Sequence, residues 1–210
     1  MSIFKIFFGN SQINIREEIK LKITVVCAAG AEVLEKDLFN LTLDDLKDSD
    51  IVIDAFGTWT EETLPQHSTS LKHLCDILSG THIHLLVVGG AGSLYVNSWH
   101  TLCVSDGPNF PDIFKPPAAA MAKALEELRQ RNDVKWTYLS PAGDFQADGA
   151  RTGRYILGGE ELTLNSKGES IISYADYAIA MIDEAENGCY SIWFHIMCRS
   201  FPDTLMSVPQ

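Results

Sequence analysis

A chain of 210 residues, 46% hydrophobic and 21% charged, has the composition of a folded protein and is long enough to bury one core without disulfides or metal. Its formal net charge of −12 repels phosphate backbones and anionic lipid headgroups, so no nucleic acid and no membrane is expected as a partner. The five cysteines are scattered without a Cys-x-x-Cys pair and read as reduced thiols, and Met1 to Phe8 lacks both the length of a membrane span and the layout of a signal peptide, which points to the cytoplasm.

Short apolar runs alternate with helical stretches, the rhythm of repeated βα units around a parallel sheet covered on both faces. Strands are predicted at Ile3 to Phe8, Ile23 to Cys27, Glu32 to Glu35, Ile51 to Phe56, Ile83 to Val88 and Lys135 to Leu139. Apolar residues three and four apart predict a helix from Leu64 to Leu78, stopped at Gly80. The irregular segment Ala91 to Lys115 carries Tyr95, Trp99, His100 and Asp106, and a loop of that length is often a functional lid. Pro116 and Pro117 open a second helix, Ala118 to Arg131, and a third runs from Tyr174 to Glu186, with Ser173 or Asp176 near its start and Asn187 and Gly188 closing it. Trp193 to Met197 reads as a closing edge strand.

These elements predict one α/β domain over residues 1–210: a doubly wound, Rossmann-like parallel sheet with strand order 3-2-1-4-5-6 and right-handed crossovers. A small substrate lobe follows Pro141.

The run Leu85-Leu-Val-Val-Gly-Gly-Ala-Gly-Ser-Leu-Tyr-Val96 does not make a dinucleotide loop, because Tyr95 stands where the third glycine of G-x-G-x-x-G belongs and the run follows the fifth predicted strand, not the first. Small residues at a strand's carboxyl end still let a ligand lie against the backbone, with Ser93 and Tyr95 facing it. Ser93 reads equally as a turn residue, and Tyr95 and Trp99 either stack on a flat ring or anchor the loop. His82 and His84 share a strand face without a third ligand nearby, so no metal site is expected. His67 and His73 fall on different helix faces and read as surface or boundary residues. Asp144, Asp148 and Arg151 either shape a substrate pocket or are solvated loop charges.

Glu35-Lys-Asp-Leu38, Val52-Ile-Asp-Ala-Phe-Gly57, Val87-Val-Gly-Gly-Ala-Gly-Ser93, Leu139-Ser-Pro-Ala-Gly143 and Ile172-Ser-Tyr-Ala-Asp-Tyr-Ala178 together resemble one family over roughly Glu32 to Gly188. It is the atypical short-chain dehydrogenase/reductases of the NADH-flavin reductase kind, relatives of NmrA-like proteins and biliverdin-flavin reductases. The resemblance implies an NADH or NADPH cofactor and a small-molecule substrate, a flavin (FMN or FAD) or quinone-like acceptor, in a monomer or homodimer. It implies that Asp37 and Leu38 border the adenine, that Ala55, Phe56 and Gly57 lie along the ribose and phosphates, and that Gly89, Gly90 and Ser93 sit beside the nicotinamide. Pro141, Ala142 and Gly143 would close over its ring.

Three departures stand out. Where the family has its phosphate loop, Gly9-Asn-Ser-Gln-Ile-Asn14 keeps only the first glycine, so Gly9 and Asn10 are the remaining candidates there and weakened cofactor binding is expected. No arginine follows the second strand to clamp a 2′-phosphate, which leaves NADH against NADPH open. The Tyr-x-x-x-Lys pair of short-chain dehydrogenases is also missing, since Trp99 follows Tyr95 at that spacing, and Lys115 and Lys123 read as helix-surface lysines. Ser93 and Tyr95 remain as catalytic candidates that position more than activate, which suits hydride transfer to a flavin. The alternatives are a nucleotide-sensing protein of the NmrA-like kind that binds cofactor without turnover, and a chain without a cofactor site.

Overall fold

The computed structural model describes residues 36–187, together with the backbone of four strands at residues 5–8, 11–14, 23–26 and 195–198. β1 (Lys5–Phe8) and β2 (Ser11–Asn14) form an antiparallel pair in which Phe8 faces Ser11. The expectation that the first strand lies at the centre of the parallel sheet is therefore corrected. A Gly-Asn pair between two short runs is a hairpin signal in the sequence, in keeping with the antiparallel pairing of the two strands.

β3 (Ile23–Val26) takes the place beside β4 (Ile51–Asp54), and β5 (His84–Val88) and β6 (Lys135–Ser140) follow, all parallel. Beyond Pro141–Gly143, β7 (Asp144–Gln146) pairs with β9 (Ile171–Ser173) in a small parallel sheet of its own, and β8 (Ile156–Leu157) lies between them in sequence. β10 (His195–Cys198) joins β6 in parallel and β8 in antiparallel sense, so the main sheet runs β3-β4-β5-β6-β10-β8. The expected edge strand near Met197 is thus an inner one, and β8 is the edge. The predicted strand Glu32 to Glu35 lies outside the described residues.

Side-chain alternation explains why the sheet is covered on both faces. Val52, Leu85, Val87, Trp136 and Tyr138 point to one side and pack with Leu71, Leu74 and Leu78 of the helix Gln66–Leu78 and with Leu125 and Leu128 of the helix Lys115–Arg129. Ile51, Ile53, Leu86 and Leu139 point to the other and meet Tyr177, Ala180 and Met181 of the helix Tyr174–Asn187. With the short helix Leu43–Leu46 these are α1 to α4 in chain order. Fully buried leucines such as Leu74, Leu85 and Leu86 each contribute about 1.5–3 kcal/mol of apolar burial. The proline pair sits in the first turn of α3, which starts one turn earlier than its alanine run suggests. Among the described residues no helix is long and apolar enough to cross a membrane.

Candidate active site

In an open parallel sheet the crevice outside the carboxyl ends of the strands is the ligand site. Among the described residues, three segments leave that edge.

The segment after β4 is held at both ends. Asp54 is 4% exposed, and its Oδ1 accepts a hydrogen bond from the Phe56 amide at 3.0 Å. Burial pushes its carboxyl up to about 6, because little besides that amide stabilises the anion. His67 of α2 reaches the Thr58 carbonyl through Nε2 at 3.1 Å, which makes Nε2 the donor. Its ring meets Phe56 edge-on at 5.7 Å. His67, read from its helical position as a surface or boundary residue, is buried at 8% exposure. Ala55 and Phe56 are half-buried, while Gly57 is exposed, with open space where a Cβ would stand.

After β5, Gly89 donates its amide to the Leu139 carbonyl at 2.7 Å, and a Cβ on it would lie 2.2 Å from Cε1 of Tyr138. Gly90 donates to the Tyr138 hydroxyl at 3.3 Å. Burial pushes Tyr138 up to about 12 and holds Tyr177 well above the ordinary tyrosine range, so neither phenol gives up a proton near neutrality. A water-sized cavity of about 20 Å³ lies among Asp54, Phe56, His67, Ser70, Met121 and Tyr138.

Ser93 closes a tight turn by donating to the Gly90 carbonyl at 3.3 Å. Tyr95 stacks on His100 with centroids 4.4 Å apart and planes 3° from parallel. His100, at φ 52°, brings Nδ1 to 3.3 Å from Glu160 and Nε2 to 3.4 Å from Glu161. The Val96 amide bonds to the Leu102 carbonyl and the Val104 amide to the Leu94 carbonyl, so the long loop is a narrow hairpin anchored through Tyr95 and His100. Trp99 stands at its tip, 84% exposed.

After β6, Pro141 and Ala142 are buried and Gly143 is exposed, donating its amide to Ser170 Oγ at 3.0 Å. The Leu139 carbonyl also accepts the Tyr177 hydroxyl at 2.8 Å, which ties the first turn of α4 to the end of β6. Elsewhere, Asp37 caps the turn Leu38–Asn40 by accepting from the Phe39 amide at 2.9 Å, and Leu38 is buried in the α2/α3 core. Gly9 and Asn10 lie outside the described residues. Lys115 and Lys123 pair with Asp112 and Glu127 on the surface. Among the described residues no group of three or more His, Cys, Asp or Glu could hold a metal ion.

No protein-family model matches the chain. YwnB, an uncharacterized protein of Bacillus subtilis (strain 168), is 45% identical over 157 residues, 74% of this chain and 73% of its own. SP1627 of Streptococcus pneumoniae TIGR4, a candidate NADH-flavin reductase, is 46% identical with a TM-score of 0.80 over 84% of this chain and 86% of its own. The chain belongs to the atypical short-chain dehydrogenase/reductase family. A candidate epimerase of Bacteroides thetaiotaomicron is 28% identical, with a TM-score of 0.70 over 87% of each chain.

For a member of this family the crevice holds groups to which motif reading gave no role, Asp54 and Tyr177 within quoted motifs and His67 and Tyr138 outside them. Asp54, His67, Tyr138 and Tyr177 build it from behind. Their one advance signal was Asp54, an acid closing the apolar run Ile51-Val-Ile53.

Proposed function

We propose that this chain is a nicotinamide-dependent oxidoreductase that passes hydride to a flavin or quinone-like acceptor. The observation that carries the reading is the 46% identity to the candidate NADH-flavin reductase over most of both chains. The crevice is consistent with it. The exposed backbone at Gly57 and Gly143 leaves an edge where a flat ring can lie against main chain, and the described residues there fit a nicotinamide. Ala55 to Gly57, Gly90 and Pro141 to Gly143 would hold it. A bound nicotinamide supplies the hydride. Asp54 and His67 fix the loop that borders it, and the Tyr95–His100 stack sets the position of the neighbouring hairpin.

Tyrosine-based acid–base chemistry has little place in this crevice. Tyr138 and Tyr177 are buried with their hydroxyls engaged, the Tyr95 ring stacks on His100, and no lysine follows Tyr95 at the family spacing. That suits an acceptor whose own ring takes the electrons. It also suits the second reading, a cofactor-sensing protein without turnover.

Titration with NADH and NADPH, followed by quenching of protein tryptophan fluorescence, separates the readings when paired with a steady-state assay of NADH oxidation in the presence of free flavin. Saturable binding with sustained oxidation is expected. Binding without oxidation would favour the sensing protein, and no binding at millimolar cofactor would overturn both.

A further inference from the structure

In a chain this acidic a surface cation ordinarily finds a carboxylate. Lys36, Lys72, Lys115, Lys123, Arg129 and Arg131 all do. Arg151 and Arg154 are exposed, and neither has a carboxylate partner among the described residues, Asp148 three positions upstream included.

The two arginines flank Thr152-Gly153, a turn that α4 holds from beneath. Asp176, fully buried, accepts hydrogen bonds from the Thr152 amide at 2.8 Å, the Gly153 amide at 2.8 Å and the Thr152 hydroxyl at 2.6 Å. Seven residues along the same helix face, Asp183 accepts the Tyr155 hydroxyl at 2.7 Å. Gly153 sits at φ 74°, where a side chain would be strained. The turn is therefore built rigidly, and what it presents to solvent is two guanidinium groups.

Topology places this turn at the crevice. Tyr177, one residue after Asp176, bonds to the carbonyl of Leu139 near the carboxyl end of β6. β10 runs parallel to β6, so α4 carries the chain away from that edge and its first turn belongs there.

We propose that Arg151 and Arg154 form an anion-recognition pair at the rim of the crevice, taking the phosphate monoester of a bound small molecule. The planar guanidinium fork matches phosphate oxygens two at a time, and a turn held in advance by Asp176 loses little freedom on binding. The inference rests on the oxidoreductase reading and deepens it. The phosphate is that of a mononucleotide flavin, because the turn lies at the β6 end of the crevice, where the nicotinamide and its acceptor meet, and not at the adenine end that carries a 2′-phosphate.

Equilibrium binding of FMN against riboflavin, and of NADPH against NADH, in the wild type and in an Arg151→Gln/Arg154→Gln variant tests it. The wild type is expected to bind FMN roughly tenfold or more tightly than riboflavin, and the variant to lose that preference while riboflavin binds as before. The variant should leave the ratio of NADPH to NADH affinity unchanged, and a change confined to that ratio would overturn the flavin-phosphate site. Asp176→Asn, which leaves the arginines in place and loosens their turn, should reduce the preference as well. Nicotinamide binding with no discrimination in either pair overturns the arginine site alone, and failure of all four ligands to bind overturns it together with the oxidoreductase reading.

Discussion

Gly89 and Asp54 show how far a single residue's role depends on partners distant in sequence. A methyl group at Gly89 would lie 2.2 Å from the Tyr138 ring and 2.8 Å from the Leu139 carbonyl oxygen. Gly89→Ala is therefore expected to destabilise the protein by about 1–3 kcal/mol or more, seen as a lower urea midpoint at unchanged m. The glycine run was legible as a demand for small residues, but the ring that makes the demand comes from a strand that follows a whole loop and helix later. Asp54 yields a pH prediction. Its carboxyl ionises near 3.8 unfolded and only at about 6 folded, so between these values the folded state holds the extra proton. The contribution of Asp54 to stability should fall as pH rises from about 4 to 6 and then level off, a loss of roughly 2–3 kcal/mol that Asp54→Asn should remove. Urea unfolding of both proteins at pH 4.5 and 6.5 measures it, and equal slopes would contradict the burial.

At the scale of elements, the long loop after β5 was legible as a candidate site of function but not as a hairpin. Its order comes from its own cross-loop backbone bonds, the Tyr95–His100 stack and the approach of both His100 ring nitrogens to Glu160 and Glu161, which belong to the segment after β8. His100→Ala should leave the melting temperature nearly unchanged, since half-exposed ion pairs contribute ~1 kcal/mol or less, while proteolysis near Trp99 accelerates several-fold. Ser173 accepts the Asp176 amide at 3.0 Å and so caps α4. Removing it in Ser173→Ala should cost about 1 kcal/mol in thermal unfolding. The sequence pattern offered Ser173 and Asp176 as alternatives for the helix start. The structure uses both, one for the cap and the other to hold the arginine turn, because a carboxylate in the first turn can face outward from the helix toward a neighbouring loop.

For the whole molecule, burial of Glu184 adds to the pH dependence. It is 6% exposed on α4 and hydrogen-bonds Thr137, which also meets His84, and burial pushes its carboxyl up to about 7. Wild-type stability should continue to decline from pH 4.5 toward 7, and Glu184→Gln should flatten that upper range in thermal melts across pH. Composition and periodicity alone determined the α/β class, the three long helices and the strands β4, β5 and β6, since burial on both faces demands short apolar runs and amphipathic crossovers wherever they lie in the chain. Motif resemblance pointed to the segments after β4, β5 and β6, which the fold sets at the carboxyl edge of the sheet. Strand order, the inner position of β10, the use of Tyr95 as an anchor and the fixing of the Arg151–Arg154 turn by Asp176 were decided only in three dimensions. Each depends on hydrogen bonds or ring contacts between residues far apart in sequence, and neither local propensity nor spacing encodes such pairings.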